Sequence, residues 1–342
     1  MIRADLADIP TYIPGKRIDN AVKLSSNEAS FPPLPAAIEA MGAAAATANR
    51  YPDMGAIRLR EVLAEHLELG VDQVAVGCGS SALCQQLVQV TCAAGDEVIF
   101  AWRSFEAYPI FARVAGATAV AVPLRPDTQD HDLDAMADAI TDRTRLIFIC
   151  NPNNPSGTTI TELQFHDFMA RVPEDVVVAL DEAYFEFNRA GDTPLATEEV
   201  HHYPNVIGLR TFSKAYGLAG VRVGYAFGNE EIISAMNKVA IPFAVSSVAQ
   251  AGALASLDAG DQLLERLEET ISERDRVAVA LGADPSQANF VWLPGPGAQE
   301  LAGRLAARGV VIRAFPEGAR ITVTTAAETD ALLRAWEEIH VV

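Results

Sequence analysis

Short apolar runs alternate with stretches of helical period from about residue 55 onward. The runs are Val74 to Val76, Glu97 to Phe100, Ala119 to Val122, Leu146 to Cys150, Val176 to Leu180, Val206 to Leu209 and Val223 to Phe227. They are apolar throughout rather than alternating, which is typical of strands in a sheet that is covered on both faces. The pattern predicts an α/β fold with a mostly parallel, helix-covered sheet over roughly residues 45 to 235.

The pattern is different at the two ends of the chain. Residues 1–35 are rich in proline and turn formers, which predicts an extended arm leading into a helix near Pro35 to Ala46. After Pro242 a long polar helix is followed by short strands and a last helix: Gly260 to Leu281, Asn289 to Leu293, Val310 to Arg313, Ile321 to Val323 and Glu328 to Ile339. We therefore expect an arm that contributes to the small domain (1–35), a large domain (36–240) and a smaller α+β domain (241–342).

Charge and length narrow the class of protein. The 342 residues include 26 Lys plus Arg against 45 Asp plus Glu, a net charge of −19, which disfavours nucleic acid or an anionic membrane as a partner. No apolar run reaches the roughly 18 residues that span a bilayer. An acidic enzyme with a small-molecule substrate fits this balance, since a few local cations and a helix N-terminus can still hold a phosphate.

The cysteines and histidines add little chemistry. The four cysteines form no CxxC pair, and the N-terminal sequence has no basic start followed by an apolar stretch. We expect reduced thiols in the cytoplasm. The adjacent His201 and His202 would point apart on a helix or a strand, so no metal site is expected.

The most informative segment runs from Thr211 to Gly224 and reads T-F-S-K-A-Y-G-L-A-G-V-R-V-G. It places Lys214 at the exit of an apolar strand, between Ser213 and Arg222. A lone lysine is usually solvated. This segment combines several groups that suit a phosphorylated aldehyde ligand. Its amine can form an imine, its hydroxyl and guanidinium can bind a phosphate, and its glycines allow close approach of the backbone.

Three further strand ends carry polar residues. Asp181 ends an apolar strand, where it would face a ligand of an open α/β sheet, although capping the next helix is a common job for aspartate. Asn154 lies in the turn N-P-N-N-P-S-G, where its amide could donate to a phenolate oxygen. Gly79 and Ser80 precede a helix expected over Ala82 to Cys92, which predicts an anion site at the helix start.

With these segments the chain resembles the fold-type I, class I/II pyridoxal-phosphate aminotransferases. Within them it is most similar to the histidinol-phosphate aminotransferase subfamily and its aromatic (phenylalanine) branch. The resemblance extends from Tyr12 to the C-terminus and includes L-S-S-N-E around Asn27, N-R-Y-P-D around Tyr51, R-S-F-E-A-Y around Phe105 and G-A-R-I-T-V around Arg320. The sequence departs from the usual pattern at Thr211 and Arg103, but neither change removes a reacting group.

The resemblance implies a role for each matching residue. Lys214 would bind pyridoxal 5'-phosphate as a Schiff base, Asp181 would pair with the pyridine nitrogen, and Tyr184 would assist at the ring oxygen; these three are the expected catalytic residues. The remaining contacts would come from Asn154 at the ring oxygen, Phe105 on the ring face, Gly79, Ser80, Ser213 and Arg222 at the phosphate, and Tyr51 of a second subunit. Arg320 would bind the substrate carboxylate, with Tyr12 and Asn27 lining the substrate pocket. A site shared in this way implies a homodimer.

The expected reaction is transamination of phenylalanine or tyrosine with 2-oxoglutarate, giving aryl 2-oxo acids and glutamate. The apolar arm and the I-P-F segment around Pro242 favour an aromatic substrate. The alternative is histidinol phosphate, for whose phosphate Arg313 is a candidate. A decarboxylase or lyase would share the scaffold, since fold does not fix the reaction. A ligand-sensing module of a transcription regulator would need a DNA-binding domain, and the chain has neither the residues nor the charge for one.

Overall fold

The computed structural model describes residues 2–3, 6–7 and 9–340. The expected arm and the expected C-terminal domain therefore include six residues, 1, 4, 5, 8, 341 and 342, that lie outside the described ones. The helices in chain order are α1 Pro35–Ala45, α2 Ile57–Leu67, α3 Ser80–Thr91, α4 Tyr108–Val114, α5 Leu133–Asp138, α6 Glu162–Met169, α7 Ala196–His202, α8 Glu230–Val239, α9 Ser247–Leu257, α10 Gly260–Leu281, α11 Ala298–Ala306 and α12 Ala326–His340.

The larger sheet has seven strands in the order β2-β8-β7-β6-β5-β3-β4. Its strands are β2 Val74–Gly77, β3 Glu97–Trp102, β4 Thr118–Pro123, β5 Thr144–Cys150, β6 Val177–Asp181, β7 Val206–Thr211 and β8 Gly224–Gly228. Neighbours from β7 through β4 pair in parallel, while β8 is antiparallel to both β2 and β7. The expectation of a mostly parallel sheet is confirmed, with β8 as the exception.

Both faces of this sheet are buried, as the continuous apolar strands predicted. In β5, Ile147 and Ile149 pack with α2, α5 and α6 on one face. Leu146 and Phe148 pack with α3, α4 and α8 on the other. Alternate residues of one strand therefore lie in two separate cores, which requires apolar residues at every position.

A second sheet has four strands in the order β1-β10-β11-β9. They are β1 Val22–Leu24, β9 Phe290–Pro294, β10 Val310–Phe315 and β11 Gly318–Thr322. Strand β1 was not expected from the sequence. It pairs in parallel with β10, with Val22 opposite Val310. A three-residue strand between turn formers carries too short a pattern to be recognised. Its pairing attaches the N-terminal segment to residues nearly 300 positions away.

The replacement Gly208→Ala tests the close packing of two central strands. Gly208 in β7 lies opposite Phe227 in β8, and a Cβ atom there would lie 2.3 Å from the buried Phe227 ring. Because the ring is held in a packed core, we expect the free energy of unfolding to fall by about 1–3 kcal/mol in urea denaturation. The control is Gly303→Ala. Gly303 is an exposed residue of α11 with open space where a Cβ atom would lie, so this replacement should raise the free energy of unfolding by about 0.5–1 kcal/mol. Unchanged stability of Gly208→Ala would contradict this packing.

Candidate functional site

One cavity lies where strands of the large sheet end. Its volume is about 540 Å³. The carboxyl ends of β3, β5, β6 and β7 face one edge because these strands are parallel, and the antiparallel β8 begins at that edge. The predicted site residues that line the cavity are Tyr12, Asn27, Ser80, Phe105, Asn154, Asp181, Tyr184, Ser213, Lys214, Arg222 and Arg320. Strand ends far apart in the sequence thus form a single site.

Lys214 follows β7 and points its amine into this cavity. The Nζ atom donates a weak hydrogen bond to the backbone oxygen of Ser26 at 3.4 Å. Burial, helped by the nearby cations of Arg320 and Arg222 and opposed by the charges of Glu28 and Asp181, lowers the pKa of Lys214 to about 8. The amine therefore loses its proton far more easily than a solvated lysine does.

Asp181, the last residue of β6, is buried on the floor of the cavity. Its Oδ2 atom accepts a hydrogen bond of 2.6 Å from the hydroxyl of Tyr108. Its Oδ1 atom has no hydrogen-bond partner among the described residues. Burial raises the pKa of Asp181 to about 6, although the Tyr108 hydrogen bond opposes the shift. A buried carboxylate oxygen without a donor is costly, so Oδ1 is suited to accept from a ligand N–H.

Tyr108 has a positioning role that the sequence analysis missed. Its ring stacks on Phe148 with centroids 4.3 Å apart and meets Phe105 edge-on at 5.3 Å. These contacts fix the direction of the hydroxyl toward Asp181. The tyrosine belongs to the R-S-F-E-A-Y segment, but its partner lies 73 residues further along the chain, and no local pattern links the two.

The expected phosphate site has the geometry of an anion cradle. Gly79 has a φ of 76° directly before α3, and a Cβ there would lie 2.4 Å from the Arg222 guanidinium. Arg222 donates to the hydroxyl of Ser213 at 3.3 Å. Gly79 itself does not line the cavity, whereas Ser80, Ser213 and Arg222 do. A guanidinium, hydroxyls and the free N–H groups of a helix start therefore converge on one place.

The buried guanidinium of Arg320 in β11 also lines the cavity. It donates to the side-chain oxygen of Asn154 and to the backbone oxygen of Ser25, the latter at 3.1 Å. Its Nε atom has no hydrogen-bond partner within the described part of the chain. Nearby, the amide of Asn27 donates to the hydroxyl of Tyr184 at 2.9 Å, and burial raises the pKa of that hydroxyl above its usual range. Arg320 can therefore still accept a carboxylate ligand.

Arg313 is held at the mouth of the cavity. It forms an ion pair of 2.9 Å with Glu106 and donates to the backbone oxygens of Ile13 and Pro14 at 2.9 and 3.0 Å. The two backbone hydrogen bonds therefore hold the N-terminal arm in place next to Tyr12. The side chain of Tyr12 lines the cavity and is half exposed. The sequence analysis considered Arg313 for a substrate phosphate but did not identify Glu106 as its partner.

Two predicted ligand-contacting residues, Tyr51 and Gly79, do not line this cavity. Gly79 lies next to the cavity lining residue Ser80, whereas Tyr51 lies elsewhere on the surface. The Tyr51 side chain is 82% exposed and stacks on Phe243 with ring centroids 4.6 Å apart. The expected role of Tyr51 requires a second subunit and stays a prediction.

The cavity thus combines four chemical functions. It holds an amine of lowered pKa, a buried carboxylate with a free oxygen, a cradle for a phosphate and a guanidinium for a carboxylate. Lys214 and Asp181 supply the first two, and Arg222 and Arg320 supply the cations of the last two. Such a site can bind a phosphorylated aromatic cofactor next to an amino acid and move a proton between them.

The family model for aminotransferase class I and II matches residues 19–335. The chain is 78% identical to an aromatic amino acid aminotransferase of Corynebacterium efficiens over 340 residues, 99% of each chain. It is 76% identical to the enzyme of that name in Corynebacterium glutamicum strain R, again over 99% of each. A crystal structure of the histidinol-phosphate aminotransferase from Sinorhizobium meliloti with pyridoxal-5'-phosphate superposes with a TM-score of 0.86 at 30% identity, covering 93% of this chain and 90% of the other. The fold is that of the fold-type I aminotransferases, and the chain is a transaminase that belongs to the class I and II aminotransferase family.

Proposed function

We propose that this protein is a pyridoxal-phosphate-dependent transaminase of aromatic amino acids, with 2-oxoglutarate as amino acceptor. One observation carries the proposal: Lys214 and Asp181 line the same cavity, and the Oδ1 atom of Asp181 has no hydrogen-bond partner among the described residues. The amine is the group that binds an aldehyde, and the carboxylate oxygen is the group that accepts from a protonated pyridine nitrogen. The names of the relatives agree with this chemistry.

The described residues fit the cofactor at both of its ends. The pyridine ring would lie with its nitrogen at Asp181 and one face on Phe105, and the phosphate would lie at Gly79, Ser80, Ser213 and Arg222. Since Arg320 engages the side-chain oxygen of Asn154, the amide NH₂ of Asn154 can donate to the ring oxygen together with Tyr184. When bound, the cofactor supplies an electron sink for the negative charge that develops at the substrate Cα.

The protein's own groups would perform the proton transfer. With a pKa of about 8, Lys214 is neutral in roughly a tenth of the molecules at pH 7, compared with less than one in a thousand for a solvated lysine. Once the substrate amine has replaced it at the cofactor, Lys214 can remove the Cα proton as a general base. Arg320 would bind the substrate carboxylate through two parallel hydrogen bonds and so orient the Cα–H bond toward that amine.

The lining of the cavity favours an aromatic side chain on the substrate. Beside the polar groups, the wall contains Tyr12, Phe105, Ile110, Phe111 and Phe315. Burying a benzyl group against such a wall is worth roughly 1.5–3 kcal/mol. The curated relatives at 78% and 76% identity are named aromatic amino acid aminotransferases, which supports the same choice.

Histidinol phosphate remains the second candidate because a structural relative at 30% identity acts on it by name. Its phosphate would need several charge-assisted donors. Arg313 is paired with Glu106, and the nearby Arg103 is paired with Glu317 at 2.7 Å. Arg313, which lines the cavity, and its neighbour Arg103 are therefore both neutralised, which favours an uncharged substrate side chain.

We further propose a cytoplasmic homodimer with composite sites. The four cysteines are free, which fits a reducing compartment. No helix in the described part of the chain is long and apolar enough to cross a membrane. The exposed Tyr51 stacks on Phe243, and we infer that Met54, Ile57 and Ile241, exposed apolar residues close to them in the sequence, extend this pair into an apolar patch. Such a patch is typical of a protein interface, and pairing two copies there would bring Tyr51 to the phosphate site of the partner subunit.

We keep the expected division of the chain as part of this proposal. The seven-stranded sheet would be the centre of the large domain, and the four-stranded sheet, with the N-terminal strand β1, would be the centre of the small one. The cavity then lies between them, because Lys214 and Asp181 come from the first sheet and Arg320 from the second. Cofactor and substrate carboxylate would be held by different domains.

Lys214→Ala should remove the absorbance of the protein-bound cofactor in the visible range and abolish transamination, because no other group supplies an amine at that position. Lys23→Ala is the matched control, since Lys23 lines the same cavity but pairs with Glu28 at 2.6 Å; it should keep the absorbance. In cofactor-free wild type, the rate at which added pyridoxal phosphate gains this absorbance should rise with pH and level off above about 8. Borohydride reduction that labelled another lysine would refute the assignment.

Substrate preference can be tested by steady-state kinetics with phenylalanine, tyrosine and histidinol phosphate, each against 2-oxoglutarate. We expect kcat/KM to be highest for an aromatic amino acid, and the product to be a 2-oxo acid without release of carbon dioxide. Glu106→Gln would free the charge of Arg313 and should shift the ratio toward histidinol phosphate. The control is Glu317→Gln, which removes the closer partner of Arg103 but leaves its contact with Glu106 at 3.8 Å; Arg103 does not line the cavity, so this variant should leave the ratio unchanged. A wild-type preference for histidinol phosphate would overturn the choice of substrate.

The shared site can be tested by mixing two variants. Tyr51→Phe and Lys214→Ala should each be strongly impaired, and exchange of subunits between them should restore part of the activity, because a mixed dimer contains one site with both native residues. If Tyr51→Phe is too active for this test, its affinity for the cofactor should still fall. A fully active monomer in sedimentation analysis would contradict the dimer.

A further inference from the structure

A second cluster of ligand-type side chains lies on the surface formed by α6 and α7, outside the cavity. His166 from α6 meets Glu199 and His202 from α7, and one ligand atom from each lies within 4.8 Å of the others. From the sequence, His202 was considered only together with its neighbour His201. The fold instead pairs it with a histidine 36 positions earlier, as the numbering of the cluster shows.

Glu199 is the unusual member of this cluster. Its side chain is only 1% exposed, and its Oε2 atom has no hydrogen-bond partner among the described residues. The nearest imidazole nitrogens, Nε2 of His166 and Nδ1 of His202, lie 3.6 Å from its two oxygens, beyond hydrogen-bonding distance. A buried carboxylate oxygen in this position is stabilised by a cation.

The separations match the edges of a metal coordination shell. A zinc ion with ligands at about 2.1 Å places tetrahedral ligand atoms roughly 3.4 Å apart. The two contacts of Glu199 measure 3.6 Å, and Glu162 approaches Nε2 of His166 to 3.5 Å. The atoms are therefore too far apart for hydrogen bonds with one another but close to the spacing that a shared ion requires.

A contact with Tyr203 fixes the orientation of the His166 ring. Its Nδ1 atom lies 2.7 Å from the hydroxyl oxygen of Tyr203. If Nδ1 donates its proton there, the lone pair of Nε2 faces Glu199, which is the arrangement of histidine ligands in metal sites. The side chains of His166 and His202 are 32% and 60% exposed, so an ion can reach the cluster from solvent.

We propose that His166, Glu199 and His202 form a binding site for a divalent transition-metal ion of the zinc class, with Glu162 or water as the fourth ligand. Two imidazoles and a carboxylate suit Zn²⁺ and its neighbours better than Mg²⁺ or Ca²⁺, which prefer oxygen ligands alone. The ion would join α6 to α7. Because α7 leads directly into β7, which ends just before Lys214, the bound ion would hold the helix in front of a catalytic strand.

The test is titration of the metal-free holoenzyme with ZnCl₂ by isothermal titration calorimetry, together with thermal unfolding. We expect about one ion per chain and a higher Tm with zinc, since a ligand that binds only the folded state stabilises it. His202→Ala and Glu199→Gln should each weaken binding at least tenfold. The control His201→Ala, which removes the adjacent imidazole on the same helix, should bind zinc like wild type.

Three outcomes would overturn the proposal. These are no zinc binding by wild type, equal affinity in His202→Ala, or loss of binding in His201→Ala. A cluster that only forms ion pairs with protonated histidines would give the first result. Should Glu199→Gln fail to fold, His202→Ala decides the question, because its side chain lies on the surface and its replacement leaves the core intact.

Discussion

The burial of one carboxylate, that of Asp181, is the constraint on which the arrangement of the site depends. Removing a charged group from water is costly, and for this reason burial raises the pKa of Asp181 to about 6. Tyr108 donates a hydrogen bond to one oxygen, and the other has no hydrogen-bond partner among the described residues. A ligand that brings a positive N–H therefore gains a strong interaction, whereas a ligand with an acceptor at that place is disfavoured. In the proposed complex, specificity for the cofactor ring would depend on this atom.

The topology of the large sheet explains how distant segments reach that carboxylate. β6 is central, and its neighbours β5 and β7 run in the same direction, so Asn154 and Lys214 leave their strands beside Asp181. The antiparallel β8 begins at the same edge and brings Arg222 with it. The start of β8 is so close to α3 that a Cβ on Gly224 would lie 2.5 Å from the backbone nitrogen of Ser80. Only glycine permits this approach of the cation to the helix start.

Patterns within one segment could be interpreted from the sequence, whereas contacts between segments could not. Continuous apolar strands predicted the covered sheet, and Asp181, Asn154 and Lys214 were identified because each follows such a strand. The hydrogen bond of Tyr108 to Asp181 and the pairing of β1 with β10 join residues that no local period connects. The same holds for Glu106 with Arg313, 207 positions apart. Each of these contacts depends on the tertiary fold, which the single sequence does not display.

The charges near the cavity show why a strongly acidic protein can still hold anionic ligands. Arg313, which lines the cavity, and the neighbouring Arg103 are each paired with a glutamate. Inside, Arg222 and Arg320 bond to hydroxyl, amide and backbone oxygens, and neither has a carboxylate partner among the described residues. Because a cation without an acid beside it keeps its full attraction for an anion, the two inner arginines retain theirs for a phosphate and a carboxylate. The net charge of −19 therefore does not prevent the cavity from containing two arginines without an acidic partner among the described residues.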